Sequence, residues 1–92
     1  MEKRLKATIK GINCEGTPFI DELEFLLFPP TEKDHYGTGY YMSVKFSKRP
    51  HDRQWVDVRY ERTTNIGILA NRWILSYYGK NAKEIIYHPF ED

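Results

Sequence analysis

The sequence predicts an α+β domain: an antiparallel-type sheet of four or five strands with one long amphipathic helix, about residues 64–79, packed on one face. Three observations lead there. Several stretches alternate apolar and polar residues with the period of a strand, one longer stretch carries the period of a helix, and 92 residues suffice for one hydrophobic core but not for two. The whole chain, residues 1–92, therefore reads as a single globular domain.

The first strand is Arg4 to Ile12. Leu5, Ala7 and Ile9 fall on one side, and Arg4, Lys6, Thr8 and Lys10 on the other, which gives a half-buried strand with a basic outer face. Gly11 bulges or ends it, and the CEGTP segment is the turn that follows.

Residues 17–28 admit two readings. As a helix they start on Thr17 as N-cap and Pro18 at the first position, but Phe25 and Phe28 then sit beside Asp21 and Glu24 on the polar side. As a strand, Leu23, Phe25 and Leu27 point one way, Glu22, Glu24, Leu26 and Phe28 the other, and Pro29-Pro30 stops the ladder. The strand is the favoured reading. The helical alternative gives the order βαββαβ, the ferredoxin-like arrangement.

Residues 39–47 and 54–62 each alternate. Tyr40, Met42, Val44 and Phe46 oppose Tyr41, Ser43, Lys45 and Ser47. In the second stretch Val56, Val58 and Tyr60 oppose Trp55, Asp57, Arg59 and Glu61. A hairpin closed by KRPHDRQ pairs them in one of two registers. One sets Phe46 opposite Val56 and Lys45 opposite Asp57; the other sets Tyr41 opposite Arg59 and Lys45 opposite Trp55.

The helix carries Ile66, Leu69, Ala70, Trp73, Ile74 and Tyr77 at the spacing of one face. Thr64 or Asn65 caps its start, and Gly79 suits the positive-φ position after its end. Lys83 to His88 is a short last strand closed by Pro89, with an acidic tail.

Composition narrows the function classes. Hydrophobic residues make up 40% and aromatics 15% of the chain, enough for a packed interior. A net charge of +1 argues against a protein that coats polyanions non-specifically. The charge is segregated, with a net of −4 over residues 17–34 and +3 over residues 35–62. Cys14 is the only cysteine, so neither an internal disulfide nor a thiolate cluster can form, and the chain fits a reducing cytoplasm. No apolar run approaches the ~20 residues of a membrane span, and MEKRLKATIK lacks the apolar core of a signal peptide.

No catalytic motif stands out. His35, His51 and His88, with Asp34, Asp52 and Cys14, lack the close spacings of a zinc site. Gly37-Thr38-Gly39 precedes a strand, not the helix a phosphate cradle needs. Cys14 and the serines have no adjacent base or nucleophile elbow. We therefore expect a non-enzymatic chain without metal or cofactor.

The surface opposite the helix is more informative. It displays Tyr41, Lys45, Trp55 and Arg59, flanked by Phe28, by Lys6 and Lys10, and by Leu26. Arg49 and Arg53 sit in or beside the hairpin tip. Trp, Tyr and Arg are the residues that anchor protein interfaces. The same aromatics could stack the bases of a single-stranded nucleic acid while Lys and Arg meet phosphates. The acids Glu22, Glu24, Asp57 and Glu61 on that face oppose the second use, whereas protein recognition accepts mixed charge. The expected function is a small binding or adaptor domain that recognises a protein partner, or a second copy of itself, through the open sheet face. Single-stranded nucleic-acid binding is the alternative.

Overall fold

The computed structural model describes residues 3–30 and 39–89. Five strands form one antiparallel sheet in the order β4-β3-β2-β1-β5. In the chain they are β1 (Lys3–Ile12), β2 (Pro18–Phe28), β3 (Tyr41–Phe46), β4 (Arg53–Asp57) and β5 (Ala82–Pro89), with α1 (Ile66–Tyr78) and a 3₁₀ turn (Gly79–Asn81) between the last two.

β1 and β2 form a hairpin from Lys3↔Leu27 to Ile12↔Pro18. Its turn is built by Asn13, whose side-chain oxygen accepts from the backbone N–H of Glu15 and of Thr17, each at 2.9 Å. Residues 18–28 are therefore a strand, and the condition for a βαββαβ order is not met. Phe25 decides the choice: a helix would set it among acids, whereas the strand buries it completely beside Leu23 and Leu27. β2 is also hydrogen-bonded on both sides, to β1 and to β3, so its backbone groups are satisfied across the sheet.

The β1–β5 register shifts between Lys10 and Gly11. An added Cβ at Gly11 would stand 1.9 Å from the carbonyl oxygen of Asn81, so only glycine lets the 3₁₀ turn pass this close to β1.

β4 departs from expectation in length and in register. It ends at Asp57, and it pairs Tyr41↔Asp57, Met42↔Val56, Ser43↔Trp55 and Lys45↔Arg53, which matches neither anticipated register. The tip explains the shift: Arg49 N–H donates to the Phe46 carbonyl and Asp52 N–H to the Arg49 carbonyl, each at 3.0 Å, so two tight turns take up residues 47–52. At the other end the Asp57 carboxylate accepts from the backbone N–H of Arg59 at 3.0 Å. The chain turns there, and Val58 drops into the core at 4% exposure.

The helix is two residues shorter at its start than anticipated and is capped by Asn65, whose Oδ1 accepts from Gly67 N–H at 2.9 Å and Ile68 N–H at 3.2 Å. Gly79 follows it at φ +58°. Leu69, Ala70, Ile74 and Tyr78 are its buried residues, and Tyr77, expected inside, is 51% exposed. One buried cluster joins them to Leu5, Ala7 and Ile9 of β1, Leu23, Phe25 and Leu27 of β2, and Met42, Val44 and Phe46 of β3. Trp73 meets Phe25 edge-on with ring centroids 5.8 Å apart. Tyr78 is fastened at the far end, stacked on Phe19 with its hydroxyl donating to Asp21 Oδ2 at 2.8 Å.

Candidate functional site

Alternation sends the other half of each strand to the opposite side of the sheet. Cross-strand rows there follow from the pairing. One row runs Arg4, Leu26, Ser43, Trp55; the next runs His88, Lys6, Glu24, Lys45, Arg53; and Phe28, Tyr41 and Asp57 form a third.

The first and third rows make an aromatic end. Trp55 is 63% exposed, and its ring lies 5.6 Å from that of Phe28 at a 40° tilt. Ser43 is small enough for its neighbours Leu26 and Trp55 to close over it, which leaves it 1% exposed. Leu26 is likewise buried at 8%, so the patch has a sealed floor under an exposed indole.

Arg59 joins this end from beyond β4. Its Nε donates to Asp57 Oδ1 at 2.9 Å and one terminal nitrogen to Oδ2 at 2.8 Å, a two-pronged ion pair. Its guanidinium carbon also stands 5.5 Å from the Tyr41 ring centre and 5.6 Å from that of Tyr60. The hydrogen bonds from Arg59 hold the Asp57 carboxyl down to about 2, against an ordinary 3.8. Asp57 thus belongs to Arg59 and not to Lys45, the partner that the first anticipated register would give it. Lys45 instead approaches Glu24, at 3.9 Å.

The charged row borders a concavity of about 430 Å³ lined by Lys6, Thr8, Glu22, Glu24, Lys45 and His88, with Ser47 and Pro50 at the tip side. Thr8 Oγ1 and His88 Nε2 are 3.0 Å apart. Two lysines and two glutamates share its wall, so it suits a ligand that itself presents both signs.

Of the sequence-predicted residues, Phe28, Tyr41, Trp55 and Arg59 come together at the aromatic end, and Lys45 and Arg53 lie on the same face beside the concavity. Arg49 does not join them: its guanidinium sits 4.6 Å over the ring of Phe46, a core residue, on the other side of the sheet. Thr8 lies on the outer side that the first strand's alternation assigns it, and His88 joins it as a residue the sequence did not place on this face. The alternation of KEIIYH groups His88 with Glu84 and Ile86, but only the pairing of the last strand with the first brings it to Lys6.

His51 is exposed in the β3–β4 turn, and Cys14 is exposed with Asn81 Nδ2 3.7 Å from its sulfur. His35, Asp34, Gly37 and Thr38 lie outside the described residues. Among the described residues no three His, Cys, Asp or Glu side chains gather as metal ligands would, and no helix is long and apolar enough to cross a membrane. Searches against protein-family models, curated proteins and solved structures find no match.

Proposed function

We propose that this chain is a small binding domain whose open sheet face recognises another protein. The observation that carries the reading is Trp55: a large aromatic left 63% exposed and seated on Phe28. Exposed Trp with adjacent Tyr and Arg is the composition of an interface anchor, and a ring already packed against Phe28 loses little freedom on binding. The mixed wall of the neighbouring concavity supports a polypeptide ligand over a polyanion. Glu22 and Glu24 stand among Lys6 and Lys45 and would repel phosphate along the same track.

The test is photocrosslinking from a residue introduced beside Trp55, with the captured chains compared between wild type and Trp55→Asp. A polypeptide captured only by the wild type, with both proteins equally folded, supports the reading. A single-stranded nucleic acid is the second reading, since Trp55 offers a stacking surface with Lys45 and Arg53 near it. In a folded Trp73→Phe background, quenching of Trp55 by a mixed oligonucleotide that weakens steeply with salt would replace the protein reading with this one.

A further inference from the structure

Two features collect on the β5 side of the molecule that the open-face reading leaves unused. The first is the edge itself. β5 is an outer strand of eight residues, and among the described residues no strand lies beyond it. Edges that stay unpaired are short, charged or interrupted. The opposite edge, β4, is five residues long and starts with Arg53. β5 is longer and carries Ile85, Ile86 and Tyr87 across its middle, with Lys83 and Glu84 before them and His88 and Pro89 after.

The second feature lies on the helix. Ile68 and Leu75 are 46% and 53% exposed, and seven residues apart they share one line along α1. Asn71, between them, accepts a hydrogen bond from the Tyr87 hydroxyl at 2.9 Å, which places that line on the β5 side. Tyr87 is itself 36% exposed. An unpaired strand edge and an apolar helix stripe thus face the same direction.

We propose that a second copy of this chain docks here, with the two β5 strands pairing antiparallel about a two-fold axis at Ile86 and the Ile68–Leu75 lines of the two helices closing on each other. Each sheet then continues into its twin, and both edges lose their open backbone groups together. The register follows from side-chain chemistry. Centred on Ile86, the ladder sets Glu84 opposite His88 of the second copy, and Ile85 opposite Tyr87, on both sides of the axis. A shift of two residues either way sets Ile86 against Glu84 or against His88 and leaves neither polar side chain opposite the other. Thr8, 3.0 Å from His88 Nε2, holds that imidazole on the face where Glu84 of the second copy arrives.

Sedimentation equilibrium of the full chain from about 1 µM to about 500 µM tests this directly. The expected result is a concentration-dependent rise from 11.0 kDa toward twice that mass. Leu75→Arg and Glu84→Lys, both at exposed positions, should each weaken association at least about tenfold with unchanged circular dichroism. Adding His88→Glu to Glu84→Lys sets a carboxylate opposite the new ammonium group and should restore it. Trp55→Ala should leave it unchanged. A chain that stays at 11.0 kDa throughout overturns the proposal. So does a dimer indifferent to Leu75→Arg and Glu84→Lys, or one that the paired His88→Glu and Glu84→Lys substitutions fail to restore. A dimer lost in Trp55→Ala would move the contact to the open face and overturn it as well.

Discussion

Arg59 grips the carboxylate of Asp57 from two positions further along the chain, with both prongs under 3 Å, and in doing so it ends β4 and turns Val58 inward. A local ion pair here sets the limit of a strand. The clasp also spans the Tyr41 ring, so the aromatic end of the open face depends on it.

The clasp has a pH signature. The folded-state pKa of Asp57 lies below its ordinary value, so its contribution to stability is complete above about 3.8 and is lost as pH falls toward about 2. Carbon-detected NMR of the side-chain carboxyl should give a midpoint near 2 in the wild type. In Arg59→Gln the midpoint should rise toward 3.8. A wild-type midpoint already at the ordinary value would mean that the pair does not form.

Gly11→Ala should be the costliest small substitution in the chain. The new methyl group would collide with the backbone carbonyl of Asn81, and also with the Phe19 ring at 2.7 Å. Backbone cannot swing aside as a side chain does, so the loss is expected at the upper end of about 1–3 kcal/mol or beyond. Urea denaturation would measure it, and a change under about half a kcal/mol would contradict the close approach.

Asn65→Ala should lower stability by about 1 kcal/mol, because Asn65 satisfies two of the helix's otherwise unpaired N–H groups. Asn65→Asp should retain most of the wild-type stability, since a carboxylate accepts the same bonds. Thermal unfolding of the three proteins side by side separates the lost cap from a general effect of substitution at this position.

Tyr78 should resist alkaline titration. Burial first, and then the Asp21 carboxylate it donates to, push its phenol well above the usual value of 10. Folding keeps this proton on, so the stability it lends is complete below pH 10 and drains away as pH rises further. Ultraviolet difference spectra should show the folded wild type, with seven tyrosines, ionising no more of them than Tyr78→Phe does with six. If all seven tyrosines ionise together before unfolding, the buried hydrogen bond is absent.

Much of this fold is legible in residue order because its strands alternate cleanly. Leu5, Ala7 and Ile9, Leu23, Phe25 and Leu27, and Met42, Val44 and Phe46 all reach the core that their spacing assigns them. Period fixes a face but not a neighbour. The β3–β4 register was set by backbone turns at residues 47–52 and by the Arg59 clasp, and neither leaves a trace in hydrophobicity. Sequence position groups Arg49 with its basic neighbours, yet a tight turn carries it over Phe46 to the other side. His88 escapes the binding-face reading for the opposite reason: its side of the strand is legible, but its companion Lys6 comes from the far end of the chain.

That last pairing has a kinetic consequence. Thr8 and His88 touch across 80 positions, and every hydrogen bond between β1 and β5 closes a loop of similar size. The entropy of such closure is met late, so the β1–β2 hairpin is expected to form early and the docking of β5 to complete the sheet. On a ribosome the bulge at Gly11 and the final strand would wait for the C-terminal segment to emerge. A nascent chain halted before Ala82 would hold four strands with β1 as a raw edge, and refolding of the released protein should fall nearer milliseconds to seconds than the microseconds typical of helical bundles.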